Sequence, residues 1–333
     1  MIRVWSNPRP IEVAPEVNGF LQQLGGPALI QLSGEDSTRT RVLVTLSHGN
    51  EPSGMEAVHR WLLSGEKPVV NVVVLLGAVR AALLQPLFYY RQPPGERDLN
   101  RCFGSPGGDE QGKLALEMLQ LIQARQPEAL VDLHNTSGLS PPFAVTVGDT
   151  PEIRSLVSLF VQHMIVTDLR LGSLMEQSLG CPLVTIEAGG AQDESSILVA
   201  ARGIRRYFTA RNVLDRRGEL ETFHHPLRLE LREHSRIGFA GRALPGHDIT
   251  LRADIETFNA TPLRQKDMIG WLAADGLSHL EVCSDAGQPR QVEEYFKVEQ
   301  GRLFPLQAMR LFMATTRPDV AASDCLFYFV MDG

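Results

Sequence analysis

The sequence predicts an α/β domain whose sheet includes parallel strands, followed by a smaller β-rich domain. Three observations predict it. From Thr40 to about Val213, short apolar runs alternate with longer stretches of helical period, the pattern of strands and crossover helices. After Asp215–Phe223 the texture changes to short strand-like pieces such as RLELRE and HLEVCS, broken by Gly and Pro at close intervals. The length, 333 residues, is roughly twice that of an average domain of about 150. The expected division is residues 1–220 and 221–333.

Before Thr40 the chain is expected to supply an edge strand and a loop. RVLVTLS (Arg41–Ser47), VVNVVVLLG (Val69–Gly77), ALVDLH (Ala129–His134) and PLVTIEAGG (Pro182–Gly190) read as buried strands. Their near-continuous apolar character suits strands covered on both faces. Between them, Gly54–Leu63, Gly112–Ala124 and Glu152–Met164 carry apolar residues at helical spacing, and Ser195–Leu214 closes the block as a further helix.

Composition narrows the function classes. An apolar content of 43% with 21% charged residues is that of a globular chain with a sizeable core. The apolar run Val69–Val79 falls short of the ~20 residues of a membrane span. A formal charge of −7 disfavours a broad nucleic-acid surface and favours a small-molecule partner. The start MIRVWSNPRP has no basic segment leading into an apolar stretch, so a cytoplasmic location is expected. Cys102, Cys181, Cys283 and Cys325 are too widely spaced for a CxxC motif and are expected to be free thiols.

In open α/β sheets a ligand site forms at the carboxyl ends of the strands. The first of these strands runs into SHGNEPSG with His48 and Glu51, and the second leads through a long loop to Asp98-Leu99-Asn100-Arg101. The third ends in Asp132-Leu133-His134-Asn135, and the fourth carries Glu187. His48, Glu51 and His134 form a nitrogen and oxygen donor set that suits a catalytic zinc with an open position for water. Such a zinc lowers the pKa of its water toward about 7 and polarises a carbonyl, which makes amide hydrolysis feasible at neutral pH. A separate base must take the water's proton and return it to the leaving amine, and Glu187 is the candidate. Asp132 is read as lying on the opposite strand face from His134, which leaves it no supporting part without a local twist.

Each motif has an ordinary explanation when taken singly. H-x-x-E also describes a helix-start glutamate beside a surface histidine, DLNR a capped loop with a surface arginine, and Glu187 a strand end before Gly-Gly. Their joint placement on successive strand ends favours a site. Gly107–Lys113 fits G-x-x-x-x-G-K, but Leu114 stands where a magnesium-binding Ser or Thr belongs, so no nucleotide site is assigned. His224 and His225 adjoin the domain boundary and read as linker residues. Trp5, Trp61 and Trp271 are too scattered for a stacking platform.

HGNE, DLNR, DLHNTSG and TIEAGG, in this order and followed by a β-rich tail, resemble the succinylglutamate desuccinylase/aspartoacylase family, relatives of the zinc carboxypeptidases. The motifs cover about Leu46–Gly190. The resemblance implies a zinc-carboxypeptidase-like α/β/α sandwich with a mixed sheet. It also implies one Zn²⁺ per chain on His48, Glu51 and His134, a substrate carboxylate held by Asn100 and Arg101, and Glu187 as general acid/base. Two departures stand out. Five residues before the DLNR aspartate, where the family has a carbonyl-polarising arginine, this chain has Pro93, with Arg91 or Arg97 as substitutes. Ten residues before Glu187, where aspartoacylases place an arginine, stands Gln177, so no particular acyl group is carried over.

The expected function is a zinc-dependent hydrolase cleaving the amide of an N-acyl amino acid or similar small carboxylate. A metallocarboxypeptidase acting on peptides and a non-catalytic metal-binding protein on the same scaffold are the alternatives. Neither nucleic acid nor membrane is expected as a partner, and a homo-oligomer is left open.

Overall fold

Val42, Leu43 and Val44 are wholly inaccessible to solvent, and the reason is their neighbours. Their strand lies parallel between two others, Val42 facing Val73 on one side and Leu130 on the other. In the computed structural model, which describes residues 1–215, 218–323 and 325–332, this trio belongs to a nine-stranded sheet. Its strands are β1 (Arg3–Ser6), β2 (Ala28–Leu32), β3 (Asp36–Thr45), β4 (Val70–Leu76), β5 (Ala129–Thr136), β6 (Phe143–Thr146), β7 (His163–Val166), β8 (Leu183–Gly190) and β9 (Glu221–His224). The order is β1-β2-β4-β3-β5-β8-β6-β7-β9. The sheet is mixed: β1 is parallel to β2, and β3 to β4 and β5, whereas β2 is antiparallel to β4 and β6 to β8.

The helices obey local chemistry. They are α1 (Val17–Leu24), α2 (Ser53–Ser64), α3 (Val79–Leu83), α4 (Glu110–Arg125), α5 (Pro151–Val157), α6 (Glu194–Thr209) and the short α7 (Pro318–Ser323). In α2, Met55, Val58, Trp61 and Leu62 repeat at helical spacing and are buried, and the helix ends at Gly65 with a left-handed φ of 69°. The Asp109, Thr150 and Asp193 side chains accept backbone N–H groups at the starts of α4, α5 and α6. Gly54 lets α2 lie directly on β3, because a Cβ there would come within 2.0 Å of Thr45 Oγ1.

The structure corrects the sequence reading at three places. The segment before Thr40 holds a helix, α1, as well as strands. The stretch expected as one helix to Met164 stops at Val157, and His163–Val166 is a strand. Leu156, Phe160 and Met164 keep a four-residue spacing that mimics a helix, while Met164-Ile165-Val166 favours extended backbone. The last helix ends at Thr209, short of Leu214.

By packing, the chain divides into two units. One comprises residues 1–135, 142–164 and 170–222; the other comprises 136–141, 165–169 and 223–333. The second unit therefore draws in two short segments from within the earlier sequence. Buried Asn259 holds one of them, donating from Nδ2 to the Leu139 and Ala314 carbonyls, and the Leu139 N–H bonds the Glu256 carboxylate at 2.7 Å. This unit contains a six-stranded and a five-stranded sheet around a core that includes Leu229, Ile249, Phe296, Leu311, Phe327 and Phe329. No helix among the described residues is long and apolar enough to cross a membrane. Among the described residues no disulfide joins the four cysteines.

Candidate functional site

The carboxyl end of β3 turns sharply. Leu46 is buried with a left-handed φ of 52°, and its carbonyl accepts the Ala78 N–H at 2.6 Å. A non-glycine residue is uncommon there and is held by its surroundings. The turn delivers His48 and Glu51 in the loop before α2. His134 and Asn135 come from the end of β5, and Glu187 from β8 beside Phe143 of β6.

These side chains meet. Glu51 lies between two imidazoles, with Oε1 2.7 Å from His48 Nδ1 and Oε2 2.7 Å from His134 Nδ1. All three are buried, at 3%, 6% and 3% exposure for His48, Glu51 and His134. Their donor atoms lie within 4.8 Å of one another. Burial pushes the Glu51 carboxyl up, but the two histidines outweigh it and hold it well below the ordinary carboxylate range. Burial also disfavours charge on His134, yet Asp132 and Glu51 raise its pKa well above the usual value.

Each imidazole has a carboxylate at its far nitrogen. His48 Nε2 is 3.0 Å from Asp98 Oδ1, and His134 Nε2 is 2.9 Å from Asp132 Oδ2. The second pair is at ion-pair distance without the alignment of a hydrogen bond, and among the described residues neither Asp132 oxygen has a hydrogen-bond partner. A carboxylate behind a ligand histidine fixes the ring and turns its other nitrogen toward an ion. Asp132 is thus on the His134 side of its strand, contrary to the sequence reading, because residues two apart share a strand face. The part played by Asp98 was also missed, although it is the first letter of DLNR. Its Oδ1 additionally accepts the Asn100 N–H at 2.8 Å, fixing the turn between them.

Asn135 supplies a frame that sequence reasoning left unassigned. Its Oδ1 accepts the Ser53 N–H at 3.1 Å, and its Nδ2 donates to Ser53 Oγ at 2.7 Å and to the Gly189 carbonyl at 2.9 Å. One buried amide therefore ties the start of α2 and the ends of β5 and β8 together.

Arg91 joins the cluster and Arg97 does not. The Arg91 guanidinium is 2.9 Å from Asp98 Oδ2 and 3.5 Å from Glu51 Oε1. Arg97 instead bonds both oxygens of Asp109 and the carbonyls of Ser105 and Pro106, so its fork braces the entry to α4. Of the two substitutes the sequence offered, the structure brings Arg91 to the cluster and holds Arg97 at Asp109. Asn100 is buried, its Oδ1 accepting the Leu174 N–H at 3.0 Å. Arg101 is half-buried, donates one hydrogen bond to the Asn100 carbonyl, and acts electrostatically on Asp98. Its backbone N–H bonds the Asp98 carbonyl at 3.0 Å, and among the described residues its other guanidinium N–H groups have no hydrogen-bond partner.

Glu187 is 7% exposed, and its Oε2 has no hydrogen-bond partner among the described residues. Burial pushes its carboxyl up to about 7, while the charges of His134, Glu51, His48 and Asp132 all bear on it. A divalent cation fits this cluster. Two inward nitrogens and a carboxylate converge, carboxylates back both rings, and buried Glu187 Oε2 has no hydrogen-bond partner among the described residues.

A second group, Asp168, His225 and Asp285, lies in the other unit. Asp285 Oδ2 there accepts the Asp168 N–H at 3.1 Å and pairs with exposed His225 at 3.4 Å, which satisfies it without an ion.

No family model matches the chain, and no curated protein matches it in sequence. Solved structures do match. A succinylglutamate desuccinylase from Silicibacter sp. TM1040 is similar at a TM-score of 0.58 and 17% identity, covering 91% of this chain and 88% of that one. A succinylglutamate desuccinylase from Vibrio cholerae is similar at 0.58 and 12%, covering 96% and 94%. The product-bound ectoine utilization protein EutE from Ruegeria pomeroyi is similar at 0.57 and 16%, covering 91% and 88%. The chain has the fold shared by the succinylglutamate desuccinylase/aspartoacylase proteins.

Proposed function

We propose that this chain is a zinc-dependent hydrolase that cleaves the amide bond of an N-acyl amino acid or a similar small carboxylate. The observation that carries the reading is the placement of Glu51 between His48 Nδ1 and His134 Nδ1, with buried Glu187 in their field. The names of the structural neighbours support the substrate class.

His48, Glu51 and His134 would hold the ion, which supplies a Lewis acid that polarises a carbonyl and lowers the pKa of water toward about 7. Asp98 and Asp132 orient the two imidazoles. Arg101 offers unspent donors to the substrate carboxylate through a planar fork. Arg91 brings positive charge beside Glu51, where it favours negative charge developing on the scissile carbonyl oxygen. Glu187 takes a proton from water at its carboxylate and hands it to the leaving nitrogen, and its burial favours holding that proton between the two steps. The products are a carboxylic acid and an amine.

The test is a screen of N-acyl amino acids on zinc-loaded and chelated protein. Turnover that disappears on chelation and returns with zinc supports the reading. A protein that binds zinc at this cluster but turns over nothing on a broad panel is a metal-binding protein instead.

A further inference from the structure

Three residues of the candidate site each lie one or two positions from a group in the hydrogen-bond set of a single amide. Asn135 directly follows His134, Ser53 comes two residues after Glu51, and Gly189 comes two residues after Glu187. The Asn135 side chain bonds Ser53 through both its oxygen and its nitrogen, and Gly189 through its nitrogen. Its backbone N–H faces Glu51 Oε2 at 3.4 Å. The amide lies only one way round, because a flip would set Oδ1 against the Gly189 carbonyl and Nδ2 against the Ser53 N–H, turning attraction into repulsion at both.

That orientation is braced from the far side. Ser53 Oγ, which accepts from Nδ2, lies 2.7 Å from Ser196 Oγ, and Ser196 Oγ donates to the Asp193 carbonyl at 2.6 Å. With the Ser196 proton spent on that carbonyl, Ser53 donates to Ser196. The donors therefore run in one direction, from Asn135 to Ser53 to Ser196 to Asp193, and end at the start of α6. Both serines are wholly buried and Asn135 is nearly so. Helix capping explains half of the arrangement: Ser53 opens α2, Pro52 before it supplies no side-chain cap, and Asn135 Oδ1 takes the N–H instead. Capping does not explain the bond to Gly189. That glycine has a φ of 110°, where side chains are strained, and its carbonyl ends on Asn135 just beyond Glu187 in β8.

We propose that Asn135 is a positioning residue that sets the spacing of Glu187 from the metal ligands, with its bond to the Gly189 carbonyl as the tether. For its effect on turnover the proposal rests on the hydrolase reading and deepens it. Because the tether starts one residue after His134 and ends two residues after Glu187, any slip of β8 that carries Glu187 away from the ligands must stretch one short buried bond. A general base needs its oxygen within hydrogen-bond reach of the water, and a displacement of about 1 Å costs on the order of 100-fold.

Two variants cut the tether differently. Asn135→Asp keeps an acceptor for the Ser53 N–H but sets an oxygen against the Gly189 carbonyl, and Asn135→Ser is neutral and too short to reach it. Each is measured alone and combined with Glu187→Gln at one zinc per chain, and crystal structures of the metal-free single variants are compared with metal-free wild type. With Glu187 present, both variants should lower kcat about 10- to 100-fold. In the Glu187→Gln background the further loss should be less than about threefold, because a base already removed cannot be misplaced. In the crystals the Glu187 carboxylate should move by about 1 Å or more relative to His134. Equal losses in both backgrounds, a loss confined to the charged Asn135→Asp, or an unmoved Glu187 overturns the positioning role and leaves the hydrolase reading standing. A displaced Glu187 in a protein whose wild type hydrolyses nothing keeps the tether and overturns the hydrolase reading. An unmoved Glu187 in such a protein overturns both.

Discussion

The carboxylate of Asp132 stands 2.9 Å from Nε2 of His134, on the same face of β5 and wholly buried. Its value lies in geometry: the ring is turned so that Nδ1 meets Glu51. Asp132→Asn keeps the shape and removes the charge behind the ring. Zinc affinity should fall about 10- to 100-fold, read by competition with a chelator of known affinity. An affinity equal to wild type would make Asp132 a bystander.

His134→Ala removes a ligand outright, and tight zinc binding should disappear. Elemental analysis of the purified variant checks this, and stoichiometric zinc would mean that the ligand set is wrong.

Glu187→Gln should keep zinc and lose about 10²- to 10⁴-fold in kcat, because the amide cannot accept a proton. Its effect on stability has a definite sign. The folded metal-free protein holds this carboxyl at about 7 against an ordinary 4.5, so between those values the folded state binds a proton that the unfolded state has lost. Stability therefore declines from pH 4.5 to 7, by about 3 kcal/mol at most for this group. Denaturant unfolding of metal-free protein should show the variant matching wild type near pH 4.5 and exceeding it near pH 7. A gap that does not change with pH would remove the buried carboxyl as its cause.

Arg91→Ala and Arg97→Ala should separate cleanly. The first removes the charge beside Glu51 and Asp98 and should cost about 100-fold in kcat. The second should leave kcat/KM within about twofold and change stability little, since its ion pair is exposed. Steady-state kinetics with unfolding curves decide, and the reverse order would return the carbonyl role to Arg97.

Arg101→Lys preserves charge but loses the planar fork, so kcat/KM should fall roughly 10- to 150-fold on a carboxylate substrate. The loss should shrink on the matched neutral amide. Equal losses on both substrates would assign Arg101 to holding its loop.

Much of the site was legible because its residues sit at strand ends, where a run such as VLVTLSHGNE announces both the strand and the polar side chains at its carboxyl end. The placement of Asp132 was misread by a slip in strand periodicity. The choice between Arg91 and Arg97 depended on a loop fold in which Asp109 captures one of them, and no local pattern in YYRQPPGERDLNR encodes that. The strand at His163–Val166 was hidden because its apolar residues continue the spacing of α5. Asn135 was visible in DLHNTSG, but its partners Ser53 and Gly189 lie 82 and 54 residues away in sequence.

The most direct test is to measure zinc content and N-acyl amino acid hydrolysis on one preparation, first chelated, then titrated with zinc. The account predicts that activity rises in step with occupancy, reaches its plateau at one zinc per chain, and is absent in Glu187→Gln at the same occupancy. Full activity in the chelated protein, or a Glu187→Gln variant as active as wild type at one zinc per chain, would contradict it.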